Sequence, residues 1–441
     1  MAASVFDSPL HARLFPTGET GRLFSDSAAL RAMLLVEGAL AKAQGELGII
    51  PEISAAAIHR ATLEIQIDPG ALAKETGENG VCIPALVTAF RAEMNAPEHA
   101  QYVHWGATSQ DIIDTGLMLR LRQALVLAEA DLRVVLATLA DQAGQHADLP
   151  MAGRTYAQQA TPTSWGAVLA SWGVPLLDAI DMLPTLRADA LWVSLSGASG
   201  TSSALGPEAA AVRMSLAEGL GLWDPKRSWH TDRGPILRIT AWMAQVMATL
   251  GAMGQTLIAL SATELQEVSL GGAGASSTMP QKQNPVSASA LVALSNQMNG
   301  LQGSLQIAAS HQHQRDGAAW FTEWMLVPQI ALGCAAGLQH ALQLSQHLTP
   351  HPIQMAQAFE KGLELLHSEA LSFALTESMP RPQAQAAVKT LCQEVARTGR
   401  PLSELARATY PNLPETLFDP RMQLGQAPAD ARAFVARVRA L

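Results

Sequence analysis

Cysteine is scarce in this 441-residue chain: Cys82, Cys334 and Cys392 are odd in number, far apart and form no Cys-x-x-Cys. A disulfide framework and a thiolate metal cluster are both excluded, and the compartment reads as reducing, hence cytoplasmic. Charge is sparse too. Charged residues make up 15%, 29 basic against 38 acidic for a net of −9, so a polyanion-binding role has no electrostatic support and nucleic acid is set aside. No basic segment followed by an apolar one stands at the N-terminus, so a secretory leader is not expected. Neither G-x-x-x-x-G-K-[ST] nor a strand followed by G-x-G-x-x-G occurs, and no cofactor is expected.

One stretch without charge, Ile239 to Thr263, is long enough to reach across a bilayer. Gln245 and Gln255 interrupt it, Thr240, Thr249, Thr256 and Ser261 add hydroxyls, and its bulk is Ala, Gly and Met, which let helices approach closely. It reads as a buried helix of a large bundle, with no membrane partner.

Hydrophobic residues make up 48% of the chain, enough for sizeable cores, and the length suggests about three domains. Periodicity is helical wherever it can be read, and nothing alternates with period two, so the expected fold is all-α. A first helix is expected after Ser25 and Asp26, through Leu30, Met33, Leu34, Leu40, Ala43 and Leu47, ending at Gly48 with Pro51 beyond. Longer helices are expected over about 111–147, 162–184, 236–268, 284–314 and 319–347. Turn-rich segments at Asn95-Ala-Pro-Glu98 and Leu348-Thr-Pro-His-Pro352 suggest an N-terminal helical domain (1–110), a central long-helix bundle (111–350) and a small helical C-terminal domain (351–441). The long helices offer more apolar surface than one bundle needs, which predicts an oligomer.

The segment Gly271 to Pro285 holds Ser276, Ser277, Lys282 and Asn284 within a glycine-rich run. It reads either as a flexible connection or as a loop that binds an anionic substrate. In the second reading Lys282 supplies a point charge, Asn284 and loop amides donate to an oxyanion, and Ser276 serves as a base if its pKa is strongly lowered.

This segment resembles the G-S-S-x-M-P-x-K-x-N-P signature of the fumarase/aspartase superfamily. His104-Trp-Gly-Ala-Thr108-Ser109-Gln110-Asp111 and Gly153-Arg154-Thr155-Tyr156-Ala157-Gln158-Gln159-Ala160-Thr161-Pro162-Thr163 fit that superfamily in the same order. The similarity runs from about Ser8-Pro-Leu to Leu417-Phe-Asp-Pro420 with Leu424-Gly425. It implies a three-domain, all-helical homotetramer whose central helices form one shared bundle and whose cleft draws the three motifs from different subunits.

By position, Ser276 matches the catalytic serine. Lys282 and Asn284 match binders of a substrate carboxylate that also stabilise an enediolate-like intermediate. Thr108 and Ser109 match the hydroxyls that grip a carboxylate, and Gln158 a substrate-binding glutamine. His104 heads its motif, as a positioning or a functional group. Two departures matter: Ala275 replaces the signature's leading glycine, and Tyr156 stands where adenylosuccinate and argininosuccinate lyases have an acid–base histidine. An unperturbed phenol, with a pKa near ~10, is a poor base at neutral pH, so the histidine route of those lyases is not expected.

A fourth segment, His311-Gln-His313-Gln-Arg315-Asp316-Gly-Ala-Ala-Trp320-Phe321-Thr322-Glu323-Trp324, puts aromatics where adenylosuccinate lyases hold phosphate donors. It resembles the family of bacterial 3-carboxy-cis,cis-muconate cycloisomerases, which implies lactone closure in protocatechuate breakdown by the β-ketoadipate pathway. Another superfamily lyase, a cycloisomerase for a muconate analogue and a non-catalytic helical scaffold are the alternatives. His311 and His313, two apart, point to different faces of a helix, which disfavours a metal. Trp320 and Trp324 share a face and read as core or as pocket lining; Arg315 reads as a partner of Asp316 or as a carboxylate clamp. A polycarboxylate substrate approaching an acidic chain requires local positive charge, so Lys282, Arg154 and Arg315 are expected to converge.

Overall fold

The computed structural model of the chain describes residues 4–271, 274, 275, 279 and 282–441. Six helices carry the architecture: α1 (Asp26–Glu46), α2 (Ser109–Gln145), α3 (Trp165–Asp181), α4 (Gly234–Leu260), α5 (Val286–Ala308) and α6 (Gly317–His347). All five long helices expected from periodicity are present. The fold is all-α with a few short strands. The chain divides into two compact units. The first holds Met1–Asp131, Ala179–Ala248 and Ala293–Gln339, and the second Leu132–Asp178, Thr249–Val292 and His340–Leu441.

In the first unit α1 starts where its sequence says. Ser25 is the N-cap and its Oγ accepts from the Ala28 amide at 3.3 Å, while Gly48, with φ +71°, follows the helix end. Its buried stripe includes Leu30, Leu34, Val36 and Leu40 but also Glu37 and Gln44. It packs closely on the helix Glu52–Glu64: a Cβ on Gly45 would lie 2.4 Å from that of Ala55.

Two of the helices, Gly234–Leu260 and Gly317–His347, are long and apolar enough to cross a membrane by length and composition, with 50% and 67% of the tested stretch buried inside the protein. In α4 the buried set Ile236, Ile239, Met243, Val246, Leu250 and Leu257 recurs at helical spacing, and Trp242 Nε1 donates to the Ala179 carbonyl at 2.8 Å. Such a stripe belongs to a helix packed in a bundle.

In the second unit, the helices Ser368–Leu375, Arg381–Thr398 and Leu402–Thr409 close around Leu371, Leu375, Val388, Val395 and Leu402. This unit also holds the main departure from expectation, an antiparallel hairpin of β1 (Pro150–Thr155) and β2 (Gln158–Ser164). The helix expected from residue 162 therefore begins at Trp165. Period-two alternation was not legible because the register shifts between Ala152 and Arg154, and the burial of both strands is irregular. Gly153 sits at the shift, where a Cβ would lie 2.5 Å from the Thr161 carbonyl oxygen.

Directly after the hairpin, Gly166 brings α3 against α2. A Cβ there would meet the Ala143 carbonyl oxygen at 2.6 Å and the Ala147 Cα at 2.7 Å, both backbone atoms that cannot rotate away. Gly166→Ala is therefore expected to destabilise the protein by about 1–3 kcal/mol, the usual overpacking range. Chemical denaturation measures this, and an unchanged midpoint would contradict so close a crossing.

Candidate active site

The first unit gathers the start of α2, the segment Ser194–Ala198 and the residues around His230 and Arg315 at one point. Asp111 is fully buried and accepts from five donors: the amides of Thr108 (3.0 Å), Ser196 (2.9 Å) and Gly197 (3.0 Å), Ser194 Oγ (3.1 Å) and His230 Nε2 (2.7 Å). A buried carboxylate so surrounded binds the segments that carry those donors together. One turn along the helix, Asp114 accepts from Arg233 at 2.7 and 3.1 Å, from Gln110 at 3.2 Å and from Trp320 Nε1 at 3.2 Å. Arg233 also donates at 2.7 Å to each oxygen of Glu323. Burial works against the Glu323 charge, but His311 and Arg233 overcome it and hold the carboxyl below its ordinary range.

This framework presents Thr108, Ser109 and Arg315. Arg315 donates from Nε to Gln110 Oε1 at 2.8 Å, and from one terminal nitrogen to Thr108 Oγ1 and to the Ala198 carbonyl, both at 3.2 Å. Its sequence neighbour Asp316 accepts from the Ala319 and Gln312 amides and so caps α6. Arg315 thus directs its hydrogen bonds to Gln110, Thr108 and Ala198, and Asp316 accepts backbone amides. Thr108 and Ser109 stand at the N-terminus of the 37-residue α2, where the helix dipole favours an anion. A guanidinium, two hydroxyls and a helix terminus together suit a carboxylate. Trp320, 2% exposed, belongs to the core, whereas Trp324 borders a cavity.

His104 stands beside this cluster in sequence, in the left-handed region at φ +63°. Its Nδ1 lies 2.7 Å from Oε1 of the buried Glu37, whose Oε2 has no hydrogen-bond partner. Gln44 holds the next residue, donating to the Trp105 carbonyl at 2.7 Å. Burial alone would depress the imidazole pKa, but Glu37 and Asp111 raise it overall. Glu37 and Gln44 escaped sequence reading because each sits inside an apolar helix stripe; their polarity at buried positions was the available signal.

In the second unit the hairpin places Tyr156 and Gln158. Tyr156 and Ala157 form the two-residue turn, both left-handed at φ +52° and +60°, and Tyr156 stands wholly exposed at the tip. Gln158 borders a cavity of about 500 Å³ with Glu264, Glu267, Gln354 and Lys361. Arg154 was expected to add positive charge to a cleft. It instead forms a two-pronged pair with fully buried Glu267, at 2.9 and 2.6 Å, which cancels its charge locally. Lys282 is exposed, and Asn284 pairs across a short antiparallel bridge with Gly274. Ser276 lies outside the described residues.

A raised imidazole pKa gives stability that is complete below the unfolded value of about 6.5 and is lost as pH rises through the folded value. Glu37→Gln leaves burial to act with less opposition. The His104 imidazole is then expected to titrate below its wild-type value by NMR, and the stability gap between wild type and variant to narrow from pH 6 to pH 9. A titration unchanged by the substitution would remove the pair from the account.

A family profile described as "Lyase" matches residues 16–300. The 3-carboxy-cis,cis-muconate cycloisomerase of Pseudomonas aeruginosa is 38% identical over 95% of this chain and 93% of its own length. The nitrosuccinate lyase of Streptomyces davaonensis is 35% identical over 97% and 94%. The crystal structure of the 3-carboxy-cis,cis-muconate lactonizing enzyme from Pseudomonas putida superposes with a TM-score of 0.91 at 33% identity, covering 98% of this chain and 99% of that one. The chain therefore belongs to the fumarase/aspartase superfamily of lyases, in the branch that holds the 3-carboxy-cis,cis-muconate cycloisomerases.

Proposed function

We propose that this protein is a lactonising cycloisomerase of aromatic-compound degradation that converts 3-carboxy-cis,cis-muconate to a carboxymuconolactone. The observation that carries this reading is the end-to-end likeness, at 38% identity, to an enzyme named for that reaction. The reading is supported by Arg315, which donates to Thr108 Oγ1 beside Ser109 at the start of α2, an arrangement suited to a carboxylate.

The reaction is an isomerisation of the acid; written for the ionised substrate, the trianion takes up one proton and becomes the lactone dianion. One carboxylate oxygen of the substrate bonds to a carbon of the conjugated diene, the displaced electron pair becomes a carbanion conjugated with a carboxylate, and a proton quenches it. The added charge of the carbanion needs preorganised donors. In this proposal Thr108, Ser109 and Arg315 hold one carboxylate and Gln158 another polar group of the substrate. Lys282 and Asn284 stabilise the carbanion, and Ser276 or Lys282 delivers the proton, with Tyr156 as a further candidate. His104, held by Glu37, positions the loop that leads to Thr108. The assembly that fits is a cytoplasmic homotetramer, as the superfamily resemblance implies.

A second reading, elimination from a substituted succinate, is favoured by the 35% identity to a nitrosuccinate lyase, since that chemistry also passes through charge beside a carboxylate. The assay that separates them mixes purified protein with 3-carboxy-cis,cis-muconate or with nitrosuccinate, following loss of diene absorbance in the first case and release of nitrite in the second. Rapid diene loss with lactone formation is expected, and nitrite release alone would replace the proposal with the second reading. Lys282→Met is expected to lower kcat by about 10²–10³ or more with the fold intact. Near-full activity in that variant would end the role given to Lys282.

A further inference from the structure

Within the first unit, on the far side of Glu323 from Arg233 and along α2 from Ile113 to Arg120, lies a cavity of about 600 Å³, in the size range of small-molecule sites. Leu30 and Met33 of α1, Ile113 and Leu117 of α2, and Trp324 and Val327 of α6 give it mainly apolar walls. Ile113, Leu117 and Arg120 follow one another at helical spacing, so Arg120 closes the α2 wall with a cation. Arg120 stands eleven residues beyond Ser109, roughly 16 Å along the helix axis.

Arg120, half-buried, differs in its partners from buried Arg233 and half-buried Arg154. Arg233 has Asp114 and Glu323, and Arg154 has Glu267. The Nε of Arg120 is buried without a hydrogen-bond partner, and its guanidinium lies 5.6 Å from the centroid of the Phe24 ring. Burial lowers its pKa to about 10, with Asp26 opposing that shift. Asp26 acts on the guanidinium without a close ion pair, and a desolvated Nε without an acceptor is costly, so the group has room for a further anion. Glu323 also borders the cavity, but Arg233 and His311 already hold its carboxylate. Asp26 borders it too; it offsets part of the attraction of Arg120 for one carboxylate and would repel a second negative group.

We propose that this cavity is a binding site for a small apolar monocarboxylate of benzoate size, its carboxylate paired with Arg120 and its ring lying against Leu117 and Trp324. One cation selects one carboxylate, and the walls select an apolar body. Asp26 disfavours polycarboxylates, so the site is separate from the one proposed for the substrate.

The test is calorimetric titration of the full-length protein with benzoate and with benzyl alcohol, its neutral counterpart. Benzoate is expected to bind about tenfold or more tightly than the alcohol, as a charge-assisted hydrogen bond in a desolvated site predicts. Arg120→Met is expected to lower benzoate affinity about tenfold or more and leave the alcohol unchanged. Ala29→Trp, which fills the cavity from α1, is expected to abolish binding of both, with circular dichroism confirming that each variant is folded. Lys282→Met is expected to bind benzoate as the wild type does. Absence of benzoate binding, equal affinity for acid and alcohol, wild-type benzoate affinity in Arg120→Met or Ala29→Trp, or loss of it in Lys282→Met would each overturn the proposal.

Discussion

The first unit is organised around one buried carboxylate. Asp111 draws in donors from its own helix start, from Ser194–Gly197 and from His230, the last two lying 83 to 119 residues further along the chain. A desolvated carboxylate needs several donors, and no flexible arrangement of these segments would supply them together. Satisfying Asp111 therefore fixes where α2 begins, and with it where Thr108 and Ser109 present their hydroxyls. Gln110 links this centre to the ion network of Asp114, Arg233 and Glu323, and Arg315 is fixed against Thr108 and Gln110.

The two units handle buried charge in the same way. In the first, Arg233 is shared by two carboxylates; in the second, Arg154 meets Glu267 two-pronged. Each arginine fixes geometry at the expense of its availability to a ligand. Arg315 remains open to one, since its bonds go to a hydroxyl, an amide oxygen and a carbonyl. The distinction explains how arginines from neighbouring motifs can have different tasks, and sequence position alone does not reveal it.

The helices were legible in the sequence because their determinants are local, though α4 stops at Leu260 and α5 at Ala308, short of their expected ends. Ser25 caps α1 where a hydroxyl precedes an apolar period, and the glycine- and methionine-rich α4 buries one apolar stripe, half of its tested stretch. The hairpin was not legible, since its bulge at Gly153 and its tip at Tyr156–Ala157 break the alternation that identifies strands. Thr108 and Arg315 were legible as site residues one at a time, through motif resemblance, but their 3.2 Å contact depends on pairings across more than two hundred positions. The partners of His104 and Arg154, namely Glu37 and Glu267, carry no local signal beyond being acidic residues among apolar ones.

The central claim is an intramolecular addition followed by one protonation. Its most direct test runs the reaction of 3-carboxy-cis,cis-muconate in D₂O enriched with ¹⁸O and reads the product by NMR and mass spectrometry. The account predicts a lactone carrying one carbon-bound deuteron and no solvent oxygen in the ring. A ring oxygen drawn from solvent, or an open-chain product, would contradict it.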